Sequence, residues 1–160
     1  MRVIVAAVGK LKQGAERDLF THYVQRLETA GRAVALSPVR LDELSESRAA
    51  SVDLRKADAA QRRLRAASEA DVRIVLYERG QSLTSEDFAT WIKARRNAGA
   101  KTMAFLIGGP DGHGAEALAA ADLKLSLGAL TLPHGLARIV LAEQLYRVAT
   151  IIAGHPYHRA

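Results

Sequence analysis

The sequence predicts an α/β fold, a mostly parallel sheet with helices on both faces, and three observations predict it. Short runs rich in valine, isoleucine and leucine alternate along the chain with longer segments whose apolar residues recur at helical spacing. Strands joined through helices run parallel and bury both faces of their sheet. The run Met103–Ile107 then stops at Gly108-Gly109-Pro110-Asp111-Gly112-His113-Gly114, four glycines in seven residues, and the end of a buried strand is where open α/β sheets place ligands. The alternative for this loop is a tight strand-to-helix connection that binds nothing. At 160 residues, with 49% hydrophobic and 25% charged residues, the chain reads as a single domain, 1–160, large enough for a core.

Each element has its own signal. Arg2–Val8 is a buried strand ending at Gly9. Glu16–Ala30 spaces Leu19, Phe20, Tyr23 and Leu27 along one helical side, and Gly31 closes it. Ala33–Val39 reads as the second strand, broken at Pro38, and the alanine-rich Ser45–Ala67 as a helix. Val72–Tyr77 is the third strand, from which Glu78-Arg79-Gly80 turns away. Thr84 caps a helix over Ser85–Ala98 that carries Phe88, Trp91 and Ile92 inward. Thr102–Ile107 is the fourth strand, Ala115–Ala121 a short helix, and Leu123–Leu127 the fifth strand. A second strand-end loop, Gly128–Gly135, precedes a long helix over Leu136–Ile152 and a tail, 154–160.

That last helix bears two apolar stripes, Leu141, Leu145, Val148 and Ile152, and Ile139, Ala142 and Tyr146. A helix with so narrow a polar face is buried on more than one side, and the expected second cover is another subunit, which makes a homodimer.

Charge narrows the partners. A formal net charge of +6 favours a polyanion. Arg48, Arg55 and Arg62 recur every seven residues, flanked by Lys56 and Arg63, and read either as a solvated face or as a phosphate-facing stripe; Lys93, Arg95, Arg96 and Lys101 add to it. The absence of cysteine excludes thiolate catalysis and cysteine-ligated zinc. Only His155 and His158 have ligand-like spacing, and no carboxylate accompanies them, so no metal is expected. The N-terminal apolar run is too short to span a bilayer, so no membrane association is expected and the cytoplasm is the expected location. No Walker loop, G-x-S-x-G or His-Glu-x-x-His is present.

Four motifs taken together are specific. Leu106–Gly112, Leu125–His134, Glu143-Gln144-Leu145-Tyr146-Arg147 and His155-Pro156-Tyr157-His158-Arg159, in this order and spanning the chain, closely resemble the RlmH family, the 23S ribosomal RNA (pseudouridine-N3)-methyltransferases of the SPOUT superfamily. The resemblance implies S-adenosyl-L-methionine as methyl donor, ribosomal RNA or the ribosome as partner, a homodimer, and a C-terminal trefoil knot. By motif it places Leu76, Gly108, Gly109 and Gly128, Ala129, Leu130, Thr131, Leu132 and Pro133 at the cofactor. Serine is expected in other members where this chain has Gly128, so a side-chain contact there is lost.

The acceptor sets one chemical demand. N3 of a pseudouridine is an imide nitrogen, a poor nucleophile until its proton leaves, so a base or a polarising group is expected nearby. Arg147, Tyr157 and His158 are the candidates, with His134 as fallback and Arg159 as a phosphate contact. The competing readings are an Arg147 paired with Glu143 one turn away, a His134 that merely starts the last helix, and a disordered tail. Two other functions compete: an RNA-binding ribosome-assembly factor without catalysis, and a small-nucleotide enzyme or sensor without an RNA partner.

Overall fold

A computed structural model of the chain describes residues 1–109 and 111–158. Pro110 of the glycine loop and Arg159, with the phosphate contact expected of it, lie outside the described residues.

The strands β1 (Arg2–Val8), β2 (Val39–Leu44), β3 (Val72–Ser82), β4 (Thr102–Ile107) and β5 (Leu123–Ser126) form one sheet in the order β2-β1-β4-β3-β5, with every pairing parallel. The helices are α1 (Ala15–Ala33), α2 (Val52–Ala66), α3 (Ser85–Asn97), α4 (Ala115–Ala119) and α5 (His134–Ala153). Strands β1 and β4 sit centrally, covered on both faces, which is why they read as continuous apolar runs rather than alternating ones. Alternation survives in where the side chains go. Val3, Val5 and Ala7 join Leu27 of α1, Ile92 of α3 and Leu141 and Leu145 of α5, while Ile4 and Ala6 join a smaller cluster with Ala67 and Leu64 at α2.

Three expectations are corrected. The second strand lies at Val39–Leu44, not Ala33–Val39, because α1 continues past Gly31 to Ala33. The chain then doubles back over the helix end, with the Leu36 N–H donating to the Gly31 carbonyl at 2.8 Å. A Cβ on Gly31 would collide with the Leu36 carbonyl, so this glycine permits the crossing and does not stop the helix. Val34 and Leu36 are buried by that turn, which gave the segment its strand-like sequence. The next helix starts at Val52, capped by the Ser51 hydroxyl, so Arg48 lies outside it and shares no helical face with Arg55 and Arg62. Finally, β3 does not end at Tyr77. It bulges between Leu76 and Gln81 and returns to pair with β5.

The last helix also corrects the argument for a second subunit. Leu141, Leu145 and Val148 are buried in the main core, and Ile139 and Ala142 pack with Leu11 and Phe20 on the α1 side of the same chain. Both apolar stripes are covered within one subunit, so they do not require a partner.

Candidate functional site

The cleft expected at the glycine loop is formed by the C-terminal ends of β3, β4 and β5 and the start of α5, and its volume is about 560 Å³. Of the nine positions expected at the cofactor, Leu76 comes from β3, Gly108 and Gly109 from the loop after β4, and Gly128 and Leu130 through Pro133 from the loop after β5. Ala129 is not in the lining. His134, where α5 begins, borders the same cleft.

The glycines play different parts. A Cβ on Gly109 would lie 2.9 Å from Cγ1 of Val8, so the absence of a side chain there lets the loop pack on β1. Gly128 has φ 130° and open space around its Cβ position. That backbone suits glycine and strains serine, so glycine and this loop shape go together. Leu130 is 84% exposed, an apolar side chain left at a cleft whose other walls combine leucines and glycine peptide groups with polar side chains, among them Glu78, Asp111 and His134. Such a lining suits a planar heteroaromatic ring with a polar edge, and the residues present fit the adenosyl group.

Behind the glycine loop sit two groups to which the sequence reading gave no part in holding it. The ring of His113, Nε2–H, donates to the Leu76 carbonyl at 2.7 Å, tying the loop to β3. Burial, aided by the nearby Arg63 cation, pushes its pKa down to about 4, so it is neutral at physiological pH. Arg63 is fully buried and reaches the carbonyls of Ile107 and Gly112 only at 3.5 Å; burial lowers its pKa to about 10. Arg63 therefore braces the loop and is no part of a surface stripe.

Acid should loosen this loop. The unfolded chain binds a proton at His113 near pH 6.5 and the folded chain only near 4, so the unfolded state holds more protons in between. The contribution of neutral His113 is complete above pH 6.5 and falls by up to about 3 kcal/mol as pH drops through that window. Urea unfolding at several pH values should show this slope, and His113→Gln should flatten it.

Arg138 was also missed, although a charged residue on the buried face of α5, one turn before Leu141 and Ala142, was a signal. Fully buried, it donates from Nη2 to the carbonyls of Val8 (2.6 Å) and Gly9 (2.8 Å) and from Nη1 to Glu43 (3.2 Å). It fastens the first turns of α5, and with them the His134 wall of the cleft, to β1 and β2.

The acceptor candidates gather elsewhere. Glu143 accepts from Arg147 Nη2 at 2.6 Å and from the Tyr157 hydroxyl at 3.1 Å. Tyr157 lies 4.6 Å from the Tyr146 ring, and the Arg147 guanidinium sits 4.9 Å from the Tyr157 ring centre. His158 faces Arg147 Nη1 through Nδ1 at 3.4 Å and Glu86 through Nε2 at 2.5 Å. The pairing of Arg147 with Glu143 is present, and Tyr157 and His158 of the tail are folded onto it rather than loose. Burial, then the bond to Glu143, pushes the Tyr157 phenol up to about 12, so it donates hydrogen bonds and does not act as a base. Arg147, Tyr157 and His158 are thus together, but apart from their own cleft. Arg147 is thirteen residues along α5 from His134, roughly 20 Å at the helical rise.

Residues 1–158 match the family model described as "Predicted SPOUT methyltransferase". The chain belongs to the SPOUT methyltransferase family. Over its full length, and theirs, it is 49% identical to the ribosomal RNA large subunit methyltransferase H of Brucella anthropi and 47% identical to that of Xanthobacter autotrophicus. Among solved structures it resembles a probable methylase family protein from Haemophilus influenzae Rd KW20, with a TM-score of 0.54 and 11% identity, over 99% of this chain and 70% of that one. That likeness concerns the fold, an α/β SPOUT-type sheet. Among the described residues no helix is long and apolar enough to cross a membrane, and no cluster of three or more His, Asp or Glu is placed to hold a metal ion.

Proposed function

We propose that this SPOUT methyltransferase carries a methyl group from S-adenosyl-L-methionine to N3 of a pseudouridine in 23S ribosomal RNA, as a cytoplasmic homodimer. The observation that carries the reading is the glycine-walled cleft at the ends of β3, β4 and β5, in a chain nearly half identical, end to end, to large-subunit ribosomal RNA methyltransferases. An assembly factor without catalysis would not need that cleft. The expected trefoil knot belongs to the same proposal, supported by the crossover from β4 past β3 to β5.

When bound, the cofactor supplies an electrophilic methyl on a sulfonium that leaves as a neutral thioether. The chain's own residues do the rest. Peptide groups around Gly128 hold the polar edge of the adenosyl group, and Leu76, Leu130 and Leu132 cover its face. Arg147 steadies the negative charge that develops on an imide carbonyl, and His158 takes the N3 proton. Since Arg147 lies roughly 20 Å along α5 from His134 and His158 stands beside Arg147, the acceptor groups serving each cleft come from the partner subunit. Here, in place of the apolar stripes of α5, is the argument for a dimer.

The deciding experiment is mass spectrometry of ribosomal RNA from a deletion strain, before and after treatment of its ribosomes with the purified protein. Loss and restoration of one methyl on a pseudouridine is expected; an unchanged spectrum would remove the assignment.

Two further outcomes are expected. Leu130→Asp, at a site too exposed to affect folding, should weaken S-adenosyl-L-methionine binding about tenfold by calorimetry, because an apolar wall becomes a charged one. For RNA, the paired cations move the expectation: Arg55 is bound to Asp111 and Arg62 to Asp58, each at 2.9 Å. Lys93 and Arg95 are exposed, so Lys93→Glu with Arg95→Glu should flatten the plot of log affinity against log salt by about two units. Reversal of Arg55 and Arg62 should change it little.

A further inference from the structure

Glu86 stands on α3, outside every motif that carries the family resemblance, yet its carboxylate meets His158. The two neighbours of that ring decide its protonation pattern. An ionised carboxylate only accepts hydrogen bonds, and a guanidinium only donates them. Glu86 Oε1 at Nε2 therefore requires Nε2–H, and Arg147 Nη1 facing Nδ1 requires a lone pair there. Glu86 stays ionised: its own backbone N–H and then the His158 ring hold its carboxyl below the usual range. Of the other charged or titratable groups of this corner, Glu143 meets Arg147 and the Tyr157 hydroxyl, Arg26 on α1 lies over the Tyr157 ring, and Tyr23 on α1 acts on Arg147 and Tyr157 only through its charge.

We propose that Glu86 is a positioning residue for methyl transfer, holding His158 in the Nε2–H form so that Nδ1 is the base beside Arg147. This rests on the reading of His158 given above. The Nδ1–Nη1 separation of 3.4 Å is a loose contact, and one edge of an imide replaces it on both sides. The N–H of that edge faces Nδ1 and its neighbouring carbonyl faces the guanidinium. In the step, the N3–H bond breaks and its proton goes to Nδ1. The pair left on N3 forms the N–CH3 bond while the S–CH3 pair returns to sulfur. The ring then holds protons on both nitrogens, a cation that the Glu86 carboxylate stabilises until solvent takes the Nδ1 proton. A hydrogen-bond edge of this kind selects an unsubstituted imide and rejects one already methylated at N3.

The test uses the full-length protein and ribosomes lacking the modification. Glu86 is exposed, so Glu86→Ala should fold. Nitrogen-15 NMR of the His158 ring should show Nε2–H in the wild type, a tautomer mixture in Glu86→Ala, and recovery of the wild-type pattern in Glu86→Asp. Turnover should fall about tenfold or more in Glu86→Ala and Glu86→Gln with KM within about twofold, and Glu86→Asp should restore most of it. An unchanged ring signal or an unchanged kcat in Glu86→Ala overturns the proposal. His158→Ala separates the two levels: if it abolishes turnover while Glu86→Ala does not matter, only the role of Glu86 falls. If His158→Ala turns over normally, the reading of the tail falls with it.

Discussion

Deletion of Pro156–Ala160 is expected to reduce methylation by two orders of magnitude or more while leaving the fold and the cofactor cleft in place. The deletion removes Tyr157 and His158 and frees Glu143 and Arg147 from the contacts that orient them. A base and an oriented charge stabiliser each contribute on the order of a hundredfold or more to such a transfer. The segment adds little to the core, since among its described residues only Tyr157 packs against it. A steady-state assay on ribosomes reads the loss, with cofactor calorimetry as the control. Subunit mixing adds a sharper outcome. A tail-deleted chain combined with one carrying Leu130→Asp and an intact tail should regain activity, because one mixed site then has a sound cleft and a sound tail. Undiminished turnover in the truncation alone would move the acceptor chemistry to His134.

Replacing Arg138 by methionine should cost about 3–5 kcal/mol of stability, a large part of what a domain of this size has. The guanidinium, itself fully buried, holds two backbone carbonyls at the end of β1 and the mostly covered carboxylate of Glu43. Methionine fills much of the volume but leaves those acceptors and a charge unpaired. Denaturant unfolding measures the loss. Cofactor affinity should fall too, since Arg138 fastens the α5 wall that carries His134. A lysine in its place should recover only part, as one ammonium group does not reproduce the fork that spans Val8, Gly9 and Glu43.

Where the sequence reading succeeded, the signal was local. Hydrophobic periodicity located β1, β4, α3 and α5 to within a few residues, and Thr84 does cap α3, its hydroxyl accepting from the Asp87 N–H. Where it failed, a distant partner decided. Val34 and Leu36 look like strand residues because they are apolar, but they are buried by a turn that folds over Gly31. Arg55, Arg62 and Arg63 share one short stretch yet meet different fates: paired with Asp111, paired with Asp58, and buried behind the glycine loop. Charge alone does not distinguish these, because desolvation depends on what packs across the helix.

The sequence by itself determined the alternating α/β order, the two loops that wall the cleft, and the motifs of the methyltransferase family, since each depends on residues close together in the chain. Only the tertiary structure decided that α5 is covered on both sides by its own subunit. It also decided that Arg138 locks that helix to β1, and that Glu86, sixty and more residues before the tail, faces His158. Burial and hydrogen-bond direction are properties of groups brought together from far apart, and no local pattern encodes which group will stand opposite another.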